Sequence, residues 1–85
     1  MYWTYLLENE TDKSWYTGFT SDLKKRLSDH QSGNGGRTTS LKSKWRLIYC
    51  EGYLSKEDAM GRERFLKSGA GRRFLKKQLK NYLTD

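Results

Sequence analysis

The sequence predicts an α+β fold: a small three-stranded antiparallel sheet flanked by helices, in the order ββαβαα. Three observations predict it. Aromatic and apolar residues alternate in two short runs, residues 2–7 and 15–19, on either side of a polar turn. A third apolar run, residues 45–53, stands well apart from them. Helical periodicity appears only after the second and third runs, each time behind a Ser-rich or Asp-containing start. Strands and helices in this arrangement segregate into a sheet with helices packed on it.

Each element has its own justification. Tyr2 to Leu7 alternate well enough for a half-buried strand, and Glu8 to Ser14 is polar and turn-like. Trp15 to Phe19 returns as a second strand, giving an antiparallel hairpin. Thr20-Ser21-Asp22 supplies an N-cap and a first-turn acid for a helix over about residues 22–30, with Leu23 and Leu27 toward the core. Ser32-Gly33-Asn34-Gly35-Gly36 stops that helix and opens a long loop to Lys44. Trp45 to Tyr53 is the third strand. Ser55-Lys56-Glu57-Asp58 resembles a capping box and starts a second helix to about Lys67. Gly69-Ala70-Gly71 interrupts it. A last helix over about residues 72–83 carries an apolar stripe of Phe74, Leu75, Leu79, Tyr82 and Leu83.

Composition narrows the function. Eighty-five residues fit one domain, residues 1–85, with a modest core. Charged residues make up 32%, and no apolar run approaches the roughly 20 residues of a spanning helix, so a membrane protein is excluded. The N-terminal run reads as a strand and not as a signal peptide, and a single Cys50 forms no internal disulfide, so a cytoplasmic location is expected. Cys50, mid-strand, is expected to be a buried, inert thiol. The net charge of +7 is uneven: residues 1–21 sum to −2, whereas residues 22–46 and 56–85 each sum to +5. A basic surface on a small domain points to nucleic acid.

Five side chains carry chemistry. Glu63 sits within about 60° of Ala59, Met60 and Leu66 on a helical wheel, inside an apolar stripe. A carboxylate there needs a partner. That partner is either Arg62, Arg64 or Arg26 in a salt bridge, or a metal ion. Arg26 and His30 lie one turn apart beside the core-facing leucines. Arg26 alone reads as an exposed helix charge, and His30 as a cation at a helix C-terminus. Tyr5 and Tyr16 read as strand aromatics. Tyr16 and Gly18 point to the same side of their strand, and a glycine there marks a close approach by a ligand or backbone. One Cys and one His cannot build a structural zinc site.

Taken in order, these residues resemble the GIY-YIG nuclease superfamily, in its compact stand-alone form. Trp3-Thr4-Tyr5 is similar to the first signature tripeptide and Tyr16-Thr17-Gly18 to the second, with the tyrosines eleven residues apart. Arg26, His30 and Glu63 fall where the family places its helix arginine, a His or Tyr one turn on, and a cation-binding acid. Residues 62–75 resemble the family's C-terminal half. Trp3 and Thr4 depart from the Gly and Ile of the signature.

The resemblance implies an endonuclease that hydrolyses phosphodiester bonds in DNA, or alternatively in RNA or a branched nucleic acid. It implies one Mg²⁺ or Mn²⁺ on Glu63 and charge neutralisation by Arg26. Tyr5 would be the general base, assisted by Tyr16 and His30, with His30 as the alternative base. A free tyrosine titrates near 10, so Tyr5 would need nearby positive charge or a hydrogen-bond relay. The expected nucleic-acid contacts are Gly18, Arg37, Lys42, Lys44, Arg62, Lys67, Arg72, Arg73 and Lys76. Recognition through backbone or shape is expected, since no sequence-reading module is visible. Roles around this fold include DNA repair and recombination, and a monomer is the default. Two other readings stay open: a non-catalytic DNA- or RNA-binding module on the same fold, and an adaptor whose basic last helix docks on an acidic partner.

Overall fold

The computed structural model describes residues 1–32 and 44–84. Strands β1 (Tyr2–Asn9), β2 (Trp15–Thr20) and β3 (Trp45–Tyr53) form one antiparallel sheet in the order β2-β1-β3. Helix α1 (Leu23–Gln31) follows β2. Helices α2 (Lys56–Lys67), α3 (Gly69–Gln78) and the short α4 (Lys80–Thr84) follow β3. The α+β fold class and the order ββαβαα are those the sequence predicts. The last helical segment differs in detail: it starts at Gly69 rather than Arg72 and divides at Leu79.

The central position of β1 governs the packing. Residues 4–9 are all buried, so β1 is covered on both faces and not the half-buried strand that its alternation suggests. On one face Tyr5 and Leu7 pack with Trp45, joined by Leu23 and Leu27 of α1. On the other, Leu6 packs with Leu66 of α2 and Leu75 of α3. Burying both faces of a strand removes its polar side chains from water, so each needs a partner. The Thr4 hydroxyl donates to the Ala59 carbonyl of α2 at 2.7 Å. Asn9 Oδ1 accepts from the backbone N–H groups of Thr11 and Asp12 and shapes the β1–β2 turn. Glu8 accepts from Trp15 Nε1 at 3.1 Å and from the Tyr82 hydroxyl.

A register shift opposite Leu6 and Leu7 pairs them with Tyr49 and Leu47, leaving Ile48 as an extra residue. Leu47 therefore faces α1, while Ile48 and Tyr49 both reach the α2–α3 core. Cys50 is exposed, not buried as expected. It stands opposite Tyr5, near one end of β3 and past the Leu7, Leu47 and Trp45 cluster.

Helix starts follow local chemistry. The Asp22 carboxylate caps α1 by accepting from the Lys25 N–H. Ser55 begins α2 without a side-chain cap, so the capping box does not form; its hydroxyl donates to Glu57 instead. Ser68 ends α2 and caps α3, accepting from Gly71 N–H at 3.1 Å. At this elbow a Cβ on residue 71 would lie 2.0 Å from the Phe65 carbonyl oxygen, so only glycine lets α3 fold back on α2. Tyr82 and Leu83, expected in the apolar stripe, are half-exposed at the end of the chain.

The elbow yields a direct test. Gly71→Ala meets backbone that cannot move aside, and overpacking of this kind costs about 3 kcal/mol. Thermal unfolding followed by circular dichroism should show Tm falling by more than about 10 °C. At Gly69 an added Cβ meets only the end of Arg73, at 3.5 Å, so Gly69→Ala should leave Tm nearly unchanged. Equal effects from the two substitutions would contradict this account of the elbow.

Candidate active site

The site is built on the α1 face of β1 and β2. Tyr5 and Gly18 are cross-strand partners, so their side chains fall on the same face. With no Cβ at residue 18, the Tyr5 ring lies flat over the β2 backbone. A Cβ there would sit 2.5 Å from the Tyr5 hydroxyl. The close approach expected at Gly18 is thus made by the Tyr5 phenol, and this buried glycine is not open to a nucleic acid backbone.

From this position the Tyr5 hydroxyl lies 2.8 Å from His30 Nε2. His30, in the last turn of α1, is fully buried. It is not the solvated helix-end cation of the simpler reading. Tyr16 closes the group: its ring centroid is 4.9 Å from the His30 ring and 6.5 Å from that of Tyr5. Two tyrosines from neighbouring strands and the histidine of α1 form one aromatic cluster, with Tyr16 the more exposed member.

Burial decides the protonation states. It pushes the Tyr5 phenol up, well above its ordinary 10.0; Tyr16 and Glu63 add to this, and Arg26 opposes it. Tyr5 therefore keeps its proton at neutral pH, and of the two aids it was expected to need, the charge of Arg26 does not offset burial while a hydrogen-bond partner, His30, is in place. His30 is held below its ordinary 6.5, first by burial and then by the Arg26 charge, against a smaller pull from Asp29. The pair is a neutral phenol against a neutral imidazole.

Arg26 and Glu63 approach this pair from different helices, and the charges of both act on Tyr5. Arg26, on α1, also acts on His30 and lines two shallow hollows at the end of β2, beside Thr20 and Ser21. Glu63 arrives on α2, which packs against β1 and β2. Its carboxylate is mostly covered and lies 3.3 Å from Lys67 Nζ. The partner in the salt bridge is thus Lys67, one turn on, and not one of the expected arginines Arg62, Arg64 or Arg26.

Arg62 is committed elsewhere. Its Nε and Nη2 donate to the two carboxylate oxygens of Glu51 at 2.9 and 3.1 Å. The hydroxyls of Tyr49 and Tyr53 donate to the same carboxylate. The guanidinium also lies over the rings of Phe74 and Phe65, at 4.6 and 4.9 Å. Burial works against the Glu51 charge, but the bonds from Arg62, Tyr49 and Tyr53 outweigh it and hold the carboxyl below its ordinary value. Arg62 thus fixes α2 on β3 and is a poor candidate for the nucleic-acid contact expected of it. This anchor was missed in sequence. Its one visible signal is Tyr49-x-Glu51-x-Tyr53, which sets three polar groups on one strand face.

The other expected nucleic-acid contacts are dispersed. Arg37 and Lys42 lie outside the described residues. Lys44 is exposed beside the β1–β2 turn, its carbonyl accepting from Glu10 N–H. Arg72 is exposed but lies over the Trp15 ring at 5.1 Å. With Lys13 and Lys76 it lines a groove below the opposite sheet face from Tyr5. Arg73 and Lys76 are exposed on α3. Among the described residues, no helix is long and apolar enough to cross a membrane.

Comparisons with known proteins agree with this fold. The family profile described as the GIY-YIG catalytic domain matches residues 1–78. A UPF0213 protein of Streptococcus pneumoniae serotype 4 is 44% identical over 63 residues, covering 74% of this chain and 63% of the relative. A UPF0213 protein of Streptococcus pyogenes serotype M5 is 46% identical over 63 residues, or 67% of its length. The aligned part thus spans about two thirds of these relatives. The solution NMR structure of the UPF0213 protein BH0048 from Bacillus halodurans is similar at a TM-score of 0.53 and 37% identity, covering 88% of this chain and 82% of that one. The profile match over most of the sequence, and the identity to these relatives, mean that the chain belongs to the GIY-YIG catalytic-domain family.

Proposed function

We propose that this chain is a divalent-metal-dependent endonuclease that hydrolyses phosphodiester bonds in DNA, recognising backbone or shape. The observation that carries this reading is the 2.8 Å contact between the Tyr5 hydroxyl and His30 Nε2, with the charges of Arg26 and Glu63 both acting on that tyrosine. A proton path, a cation for the phosphoryl group and a carboxylate for a metal are the tools such hydrolysis needs.

The residues fit one hydrated cation. Among the described residues no three of His, Cys, Asp and Glu cluster. Glu63 would therefore be the single protein ligand, with water and substrate oxygens completing the shell, which suits Mg²⁺ or Mn²⁺. A cation held there would act as a Lewis acid on a phosphate oxygen and stabilise the leaving 3′ oxygen.

The proton chemistry belongs to Tyr5 and His30. The phenol keeps its proton and donates it to Nε2 of an imidazole protonated on Nδ1. When the attacking water gives a proton to the Tyr5 oxygen, the phenolic proton passes to His30. The proton ends on the imidazole, whose ordinary pKa suits neutral pH far better than a phenol's. Arg26 offsets negative charge developing on the phosphoryl oxygens. Tyr16, the more exposed ring, orients the substrate beside the pair.

Nicking of plasmid, single-stranded and branched DNA with Mg²⁺ or Mn²⁺ tests the reading. Glu63→Ala should abolish cleavage while DNA binding largely survives. Arg26→Ala should lower kcat about 10²- to 10³-fold. Gly18→Ala should displace the Tyr5 hydroxyl and lower kcat, with KM little changed. Cleavage by wild type of none of these substrates, with salt-sensitive binding intact, would favour a binding module instead.

The pH profile separates the two possible bases. With His30 as the proton's destination, kcat/KM should rise through an ionisation below 6.5 and be flat above about pH 7. A rate still climbing tenfold per unit between pH 8 and 9 would place a phenolate at the reaction. Stability follows the same sign. A His30 pKa depressed in the fold gives stabilisation that is present above 6.5 and lost as pH falls through the folded value. His30→Asn should flatten that part of the curve of Tm against pH.

A further inference from the structure

The carboxylate assigned to the divalent cation already pairs with a cation of its own helix. Lys67 Nζ lies 3.3 Å from Glu63 Oε2, one turn along α2. The two side chains differ in freedom: Glu63 is 18% exposed and Lys67 56%. The carboxylate is held at the site while the ammonium can swing into water on its flexible stem. Arg62, the neighbouring cation on α2, is fixed on Glu51 and cannot take its place.

We propose that Lys67 and the divalent cation exchange at Glu63, so that metal arrival releases the Lys67 ammonium onto an adjacent substrate phosphate. This inference rests on the metal-dependent reading of the site given above. The Lys67 end of this i,i+4 pair is 56% exposed, so its ammonium regains water on release and the exchange costs little. A divalent ion carries twice the charge and displaces the ammonium, and the two like charges then repel each other. The lysine stem is anchored one turn from Glu63, so the freed ammonium stays beside the phosphate that the cation would hold. Lys67 is in this sense a positioning residue: it holds the Glu63 carboxylate aimed before metal binds, and couples metal binding to substrate binding.

The test needs no turnover. Mn²⁺ binding to the full chain is measured without DNA, from the electron paramagnetic resonance signal of free Mn²⁺. Wild type, Lys67→Gln, Lys67→Arg and Glu63→Gln are compared. Removing the competing charge in Lys67→Gln should tighten Mn²⁺ binding about two- to tenfold. Lys67→Arg should stay near wild type, and Glu63→Gln should lose the site. In EDTA, Glu63→Gln should bind DNA more tightly than wild type, because Lys67 is freed, and adding Lys67→Gln should remove that gain. Unchanged or weaker Mn²⁺ binding in Lys67→Gln, with the site still lost in Glu63→Gln, would overturn the exchange and leave the metal reading standing. Wild-type Mn²⁺ binding by Glu63→Gln would overturn both.

Discussion

The hydrogen bond between Tyr5 and His30 is the interaction on which the rest depends. It joins the central strand to the end of α1 across the α1 face of the sheet, between two groups withdrawn from water. A buried phenol and a buried imidazole drawn apart would each give up this bond away from water, so the two elements are bound to one relative placement. That placement needs Gly18, because any side chain there would occupy the space of the phenol. It also sets Arg26, one turn before His30, beside the same pair. Strand, glycine, histidine and arginine form one geometric unit.

The second half of the site is fixed from the other side of the sheet. Thr4 of β1 bonds to α2 through the Ala59 carbonyl, and Glu51 of β3 grips Arg62. Both contacts fall in the turn of α2 that leads into Glu63, and together they set the helix's rotation. Gly71 then folds α3 back on α2 and closes the core. Thr4 and the Tyr5–His30 pair thus hold two helices in register on a strand buried on both faces. Replacing a bound pair by one unpaired member would cost more than the pair contributes.

Much of this was legible in the sequence. The strands and the first two helices follow from periodicity and capping, and the fold class follows from their order. Glu63 stood out as a carboxylate in an apolar stripe, whereas Tyr5, Tyr16, Arg26 and His30 each read plainly alone and were joined into one set by the family resemblance. The protonation of Tyr5 could not be read, because it depends on how completely its own face of β1 is covered, which alternation in a strand does not report. The partner of Glu63 was misjudged because wheel geometry locates a carboxylate and not the reach of a lysine one turn on. Arg62 looked like a surface charge for nucleic acid, since nothing local links it to Glu51, eleven residues earlier on another element. Cys50 looked buried because it stands mid-strand between Tyr49 and Glu51, yet on β3, at the edge of the sheet, it is exposed.

The central claim is that Tyr5, His30, Arg26 and Glu63 serve one phosphodiester. A crystal structure with Mn²⁺ and a DNA bearing a cleavage-resistant phosphorothioate linkage tests it most directly. The account predicts anomalous density for one Mn²⁺ at Glu63. It also predicts the bound phosphate between that ion and the Tyr5 hydroxyl, within reach of Arg26. Mn²⁺ absent from Glu63, with the DNA seated instead on the groove of Trp15, Arg72 and Lys76 below the opposite sheet face, would contradict it.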